Sequence, residues 1–230
     1  MGQTITLTAS DGHKLAAYEA KPADEARAGL VIVQEIFGVN AHIRKVADGY
    51  AAAGYHAVAP AIYDRAERGV SLGYGDADRQ KAISLRQMVD NDFILRDIAA
   101  AVAYLKDAGK VGIVGYCLGG SFAWLGATRL DGLSAAIAYY GSLVVKHLSE
   151  SPRCPVMLHF GENDASIPKP DLNKIQAAIS PEKVQMFVYP GAGHAFNREG
   201  TPNWREAQAK QALERSLEFL GQHLGQQQQA

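Results

Sequence analysis

Cysteine is scarce: Cys117 and Cys154 are the only two in 230 residues, so at most one disulfide could form and a disulfide-stapled scaffold is excluded. Neither sign of charge is in excess. The 24 acidic and 23 basic residues leave a formal charge of -1, which offers no electrostatic footprint for a nucleic acid or an anionic membrane. The N-terminal Met1-Gly2-Gln3-Thr4-Ile5-Thr6 lacks both a basic segment and the apolar stretch of a secretory signal, and a cytoplasmic location is the default expectation. Met1-Gly2 with Thr6 matches the loose acylation pattern, but no polybasic stretch accompanies it, and one acyl chain anchors only marginally. There is no internal repeat at solenoid periods. No cofactor or metal motif stands out, so none is expected.

What is present is ordinary globular composition, 47% hydrophobic and 20% charged, in a chain of a length that commonly forms one core. A single domain over residues 1–230 is expected, with 226–230 a disordered Gln-rich tail. Alternation in Thr4-Ile5-Thr6-Leu7-Thr8, the Asp11-Gly12 turn and the run 13–18 predict an antiparallel N-terminal hairpin. Apolar runs then recur at 30–33, 56–59, 111–114, 135–139, 156–160 and 184–188, continuous rather than alternating, as in strands of a parallel sheet buried on both faces. Helical patterns lie between them at 43–53, 79–89, 93–106, 119–128, 172–179 and 204–220. The fold class is therefore α/β, a mostly parallel sheet with helices on both faces. The longest irregular stretch, 63–78, is expected to be functional or mobile. Cys154, opening the run 155–158, reads as a buried residue at the start of a strand.

The run 111–114 leads through Gly115-Tyr116-Cys117-Leu118-Gly119-Gly120 into a helical pattern. Strand, sharp turn and helix are the context of a nucleophile elbow, whose flanking glycines let strand and helix approach closely, and this predicts the α/β-hydrolase fold. Cys117 would sit at a helix N-terminus, where partial positive charge favours thiolate and the Leu118 amide faces a developing oxyanion. A thiol nucleophile needs a base and the base an orienter, supplied in this fold in the order nucleophile, acid, histidine. Gly161-Glu162-Asn163-Asp164 follows one late strand and Gly191-Ala192-Gly193-His194 the next, which makes His194 the base and Asp164, or its rival Glu162, the orienter. In Val33-Gln34-Glu35-Ile36 a carboxylate ends the first parallel strand, at the edge where open α/β sheets bind ligands, and Ile36 is placed to donate the second oxyanion amide. A carboxylate close to a thiol opposes its ionisation, so a resting thiol at Cys117 is expected.

Gln34-Glu35-Ile36-Phe37-Gly38, Ala59-Pro60 with Tyr63, Gly115-Tyr116-Cys117-Leu118-Gly119-Gly120, Tyr139-Tyr140-Gly141 and Gly191-Ala192-Gly193-His194-Ala195-Phe196 together resemble the dienelactone hydrolase (carboxymethylenebutenolidase) family across residues 30–220. The resemblance implies a triad of Cys117, Asp164 and His194. It also implies a switching Glu35 that substrate binding frees to activate the thiol, and an acyl-enzyme that water then hydrolyses. It further implies that Arg79 and Arg198 hold a substrate carboxylate and that Tyr139 and Phe37 line the pocket. The chain departs from the family's pocket in carrying Ala195 after the histidine, and Ile83 and Arg86 where aromatic residues stand. The expected partner is a small ester or lactone, acted on by a monomer or small homo-oligomer. Two other classes compete with this reading: amidotransferase-like or chaperone-like cysteine proteins, which lack the late Asp and His loops, and a non-enzymatic binding module, for which Cys117 would be dispensable.

Overall fold

The computed structural model describes residues 2–225, so the Gln-rich tail lies outside the described residues. Eight strands form one sheet: β1 (Gln3–Thr8), β2 (Lys14–Ala20), β3 (Ala28–Val33), β4 (Tyr55–Pro60), β5 (Val111–Tyr116), β6 (Leu133–Tyr139), β7 (Val156–Gly161) and β8 (Val184–Tyr189), in the order β1-β2-β4-β3-β5-β6-β7-β8. The hairpin β1–β2 is antiparallel and joins β4 antiparallel; every pairing from β4 to β8 is parallel.

Strands β3 and β5 are buried at every position because helices cover both faces of the sheet. α1 (Ala41–Ala52) and α6 (Glu206–Leu224) pack on one face, while α3 (Asn91–Tyr104) and α4 (Leu118–Arg129) meet each other on the opposite one. α2 (Asp76–Gln87) and α5 (Lys169–Ala178) complete the set. The strand at the far edge, β8, differs from the expected doubly buried run. Gln185 and Val188 are exposed, because an edge strand has a neighbour on one side only. None of the described helices is long and apolar enough to cross a membrane.

Four of the six helices, α1, α2, α3 and α5, begin two to three residues before the first residue that apolar periodicity marks. α1 starts at Ala41 because the Asn40 side chain caps it, accepting from the Ile43 amide at 3.3 Å. α2 takes in Asp76 and Asp78, two acidic residues that stabilise its first turn against the helix dipole, and so shortens the irregular stretch. Polar first turns are invisible to a search for apolar spacing.

The topology sends the carboxyl ends of β3, β5, β7 and β8 to one edge of the sheet, each running into a loop that carries one candidate residue. Gly119 makes that convergence tight. A Cβ built there would meet Val33 backbone at 2.6 Å and the Gln34 carbonyl at 2.7 Å, so α4 rests directly on the end of β3. Gly119→Ala should therefore cost about 3 kcal/mol, the upper end for overpacking, and displace the turn at Cys117. Urea denaturation read beside the rate of ester hydrolysis checks this; unchanged values of both would contradict the close approach.

Candidate active site

Cys117 ends β5 in a sharp turn with φ 55° and ψ −111°, a conformation unfavourable for any residue with a side chain. The turn is held from three sides: the Cys117 amide donates to the Tyr139 carbonyl (3.0 Å), its carbonyl accepts from Ser121 (3.1 Å), and the Gly119 amide donates to the Gln34 carbonyl (3.0 Å). Gly115 is required beneath it, since a Cβ there would run into the Gly119 carbonyl. Among the described residues only Cys117, Tyr140 and Ala195 are non-glycine residues with positive φ. All three lie at this site, which is where folds retain local strain. The amides of Leu118 and Ile36 donate to no carbonyl or side chain among the described residues.

Three side chains from separate loops form a relay. His194 Nδ1 lies 2.7 Å from Asp164 Oδ2, and Nε2 lies 3.1 Å from Cys117 Sγ. A carboxylate only accepts, so Nδ1 donates and Nε2 faces the sulfur. Asp164 is buried and its other oxygen accepts from the Ser166 amide at 2.8 Å, which fixes the carboxylate. Glu162, the rival orienter, is exposed and instead accepts from the Gly191 amide at 3.2 Å. Burial pushes the His194 pKa down, but its hydrogen bonds to Asp164 and to Cys117 outweigh that and raise it to about 10. Asp164→Asn should lower kcat by about 10⁴, because an amide in that place no longer enforces the tautomer with Nε2 toward sulfur. Steady-state kinetics check it; a loss under tenfold would contradict the relay.

Glu35 differs from the sequence expectation that it lies against the thiol. Both of its oxygens are taken by Arg198, at 3.0 Å from Nε and 2.8 Å from a terminal nitrogen. The cause is energetic: two charge-assisted, forked hydrogen bonds in a buried place outcompete contact with a thiol. Arg198, expected to hold a substrate carboxylate, is 8% exposed and lies 4.3 Å from the Tyr74 ring centroid and 5.3 Å from that of Phe37. Glu35, Arg198 and Phe37 are thus brought together. Arg79 is not part of this group: it is exposed on α2, and its guanidinium makes no hydrogen bond or ion pair among the described residues.

Tyr139, expected in the pocket, is fully buried under the site, with its hydroxyl 2.8 Å from Ser216 on α6 and its ring stacked on Tyr116. The next residue meets His194 instead. The Tyr140 ring lies 5.1 Å from that of His194, and its buried hydroxyl has no partner among the described residues. Both tyrosines are fully buried, and because strand parity is lost at the left-handed Tyr140, sequence alone does not say which ring approaches His194. Tyr74 escaped notice because the irregular stretch around it has no period. No group of three or more His, Cys, Asp and Glu among the described residues is arranged to hold a metal ion.

A sequence model of the dienelactone hydrolase family matches residues 15–224. The chain belongs to the dienelactone hydrolase family. Carboxymethylenebutenolidases from Pseudomonas putida and Pseudomonas knackmussii are each 35% identical over 224 residues, covering 94% of both chains. A Klebsiella pneumoniae crystal structure assigned to dienelactone hydrolase superposes with a TM-score of 0.82 at 30% identity, over 96% of this chain and 99% of that one. An esterase of Pyrococcus furiosus shares the fold at 16% identity and a TM-score of 0.74, over 98% of this chain and 93% of its own. As a member of the dienelactone hydrolase family the protein is a hydrolase of ester or lactone bonds.

Proposed function

We propose that the protein opens a small lactone or ester bearing a carboxylate, through an acyl-enzyme on Cys117. The observation that carries this reading is the continuous relay Asp164–His194–Cys117, at 2.7 and 3.1 Å, beside two unpaired amides. Cys117 Sγ attacks the carbonyl carbon while the Leu118 and Ile36 amides bind the developing oxyanion. His194, protonated beside Asp164, delivers its proton to the leaving oxygen as the ester bond breaks, the thiol's proton passes to Glu35, and a thioester remains on Cys117. For a lactone the leaving oxygen stays attached to the acyl group. Having given up its proton, the His194 ring can take one from water. The resulting hydroxide attacks the thioester, Sγ departs and regains the proton from Glu35, and the carboxylic acid is released.

Glu35 gives this scheme a substrate dependence. With Arg198 neutralising it, Glu35 does not oppose a thiolate. A substrate carboxylate competes with Glu35 for the same guanidinium and releases Glu35 as a base toward the thiol. Glu35→Gln should therefore lower kcat/KM at least tenfold for carboxylate-bearing lactones and much less for neutral acetyl esters. Parallel kinetics on both substrates check this, and equal losses would contradict the proposed release.

A second reading, a broad carboxylesterase or thioesterase using the same triad, draws on one observation. Arg198 is already neutralised by Glu35 and Arg79 lies exposed, so little positive charge is left free for a substrate anion. Hydrolysis rates on a dienelactone, p-nitrophenyl acetate and a thioester separate the two. Preference for the dienelactone supports the first; equal rates on neutral esters support the second.

A further inference from the structure

The chain between β4 and α2 doubles back over the loop that follows β3. An antiparallel bridge pairs Gly38 with Ser71, the Leu72 amide donates to the Phe37 carbonyl at 2.9 Å, and the Asn40 side chain donates to the Leu72 carbonyl at 3.0 Å. Gly38, at φ 83°, is required there, because a Cβ would run into the Val70 carbonyl. The backbone fastening stops at Leu72. The amides of Gly73, Tyr74 and Gly75 donate to no carbonyl or side chain among the described residues, and α2 takes over at Asp76. Tyr74 thus stands between two glycines in an unfastened turn, where the chain can change φ and ψ at little cost. Its hydroxyl is held by one long hydrogen bond, accepting from Asn40 Nδ2 at 3.3 Å.

The Tyr74 ring lies against the Glu35–Arg198 pair, 4.3 Å from the guanidinium and edge-on to Phe37 at 4.9 Å. Glu35 and Phe37 are buried while Tyr74 is 38% exposed, so of these three neighbours of the guanidinium the tyrosine is the one that meets solvent. Glu35 takes Nε and one terminal nitrogen of Arg198, and the other terminal nitrogen has no partner among the described residues. A guanidinium carries five donors, so a second carboxylate still finds hydrogen bonds there. We propose that Tyr74 is a specificity-determining residue that gates Arg198: a substrate carboxylate reaches the free terminal nitrogen only when the Tyr74 ring swings off the guanidinium. This gate rests on the reading that the substrate carries a carboxylate held by Arg198, and it sets what that carboxylate has to displace. The Glu35 fork is charge-assisted and buried, whereas the ring contact is open to water, where cation–π attraction is weakest. The ring therefore yields first. Neutral esters make no demand on Arg198 and pass with the gate closed.

Benzoate, as a competitive inhibitor of p-nitrophenyl acetate hydrolysis, reads the gate in the unaltered protein, in Tyr74→Phe and in Tyr74→Ala. Tyr74→Ala should bind benzoate about fivefold more tightly, the scale of one partly exposed cation–π contact. KM for a dienelactone should fall by a similar factor, and KM for p-nitrophenyl acetate much less. Tyr74→Phe keeps the ring and gives up only the Asn40 bond, so its inhibition constant should stay within about twofold of the unaltered protein's. Equal inhibition of all three proteins overturns the gate and leaves carboxylate binding standing; inhibition of none overturns both. Weaker inhibition of Tyr74→Ala would make the ring part of the carboxylate's own site, and a Tyr74→Phe that behaves like Tyr74→Ala would assign the effect to the hydroxyl. Either result overturns the gate.

Discussion

Cys117→Ala should lose about 10⁴-fold or more in kcat while folding as well as the unaltered protein. The size follows from the chemistry: without sulfur there is no acyl-enzyme, and only binding and the oxyanion amides remain. The unchanged stability follows from the backbone, since alanine meets the same penalty at φ 55° as cysteine does. Glycine does not, and Cys117→Gly should gain part of the ~1–3 kcal/mol stored there while remaining inactive. Rates on p-nitrophenyl acetate beside thermal denaturation read both quantities. Substantial activity in Cys117→Ala would remove the nucleophile from the account, and a large loss of stability would show that the cysteine serves the core.

Arg198→Leu should produce the second large effect, a loss of about 3–5 kcal/mol in folding stability. Glu35 is 1% exposed and both its oxygens are satisfied by Arg198, so removing the guanidinium strands a buried carboxylate. Adding Glu35→Gln to Arg198→Leu should recover most of the loss, because the stranded charge goes with it. Chemical denaturation of the single and double variants gives the answer. A double variant no more stable than the single one would show that the guanidinium acts through packing on Tyr74 and Phe37 rather than through charge.

The elements most legible in the sequence are those buried on both faces. Strands β3 and β5 read as continuous apolar runs because no face of either meets water. The elbow was equally plain, since glycines at 115 and 119 are demanded by backbone contacts that leave no space for a Cβ. The relay order was legible too, because each member follows its own strand. Long-range pairing was not. Glu35 and Arg198 are 163 residues apart, and nothing local in either segment announces that each neutralises the other. Helix starts are hidden wherever a polar first turn precedes the apolar face, and the tyrosine that meets His194 is hidden where the chain leaves strand geometry at Tyr140.

The central claim is that catalysis passes through a covalent acyl group on Cys117. Rapid acid quench of the protein during turnover of p-nitrophenyl acetate, followed by peptide mass spectrometry, tests it directly. The account predicts one added acetyl group, on the peptide containing Cys117, and none on that peptide in Cys117→Ala. Turnover with no adduct on that peptide, or with the acetyl group on another side chain, would contradict it.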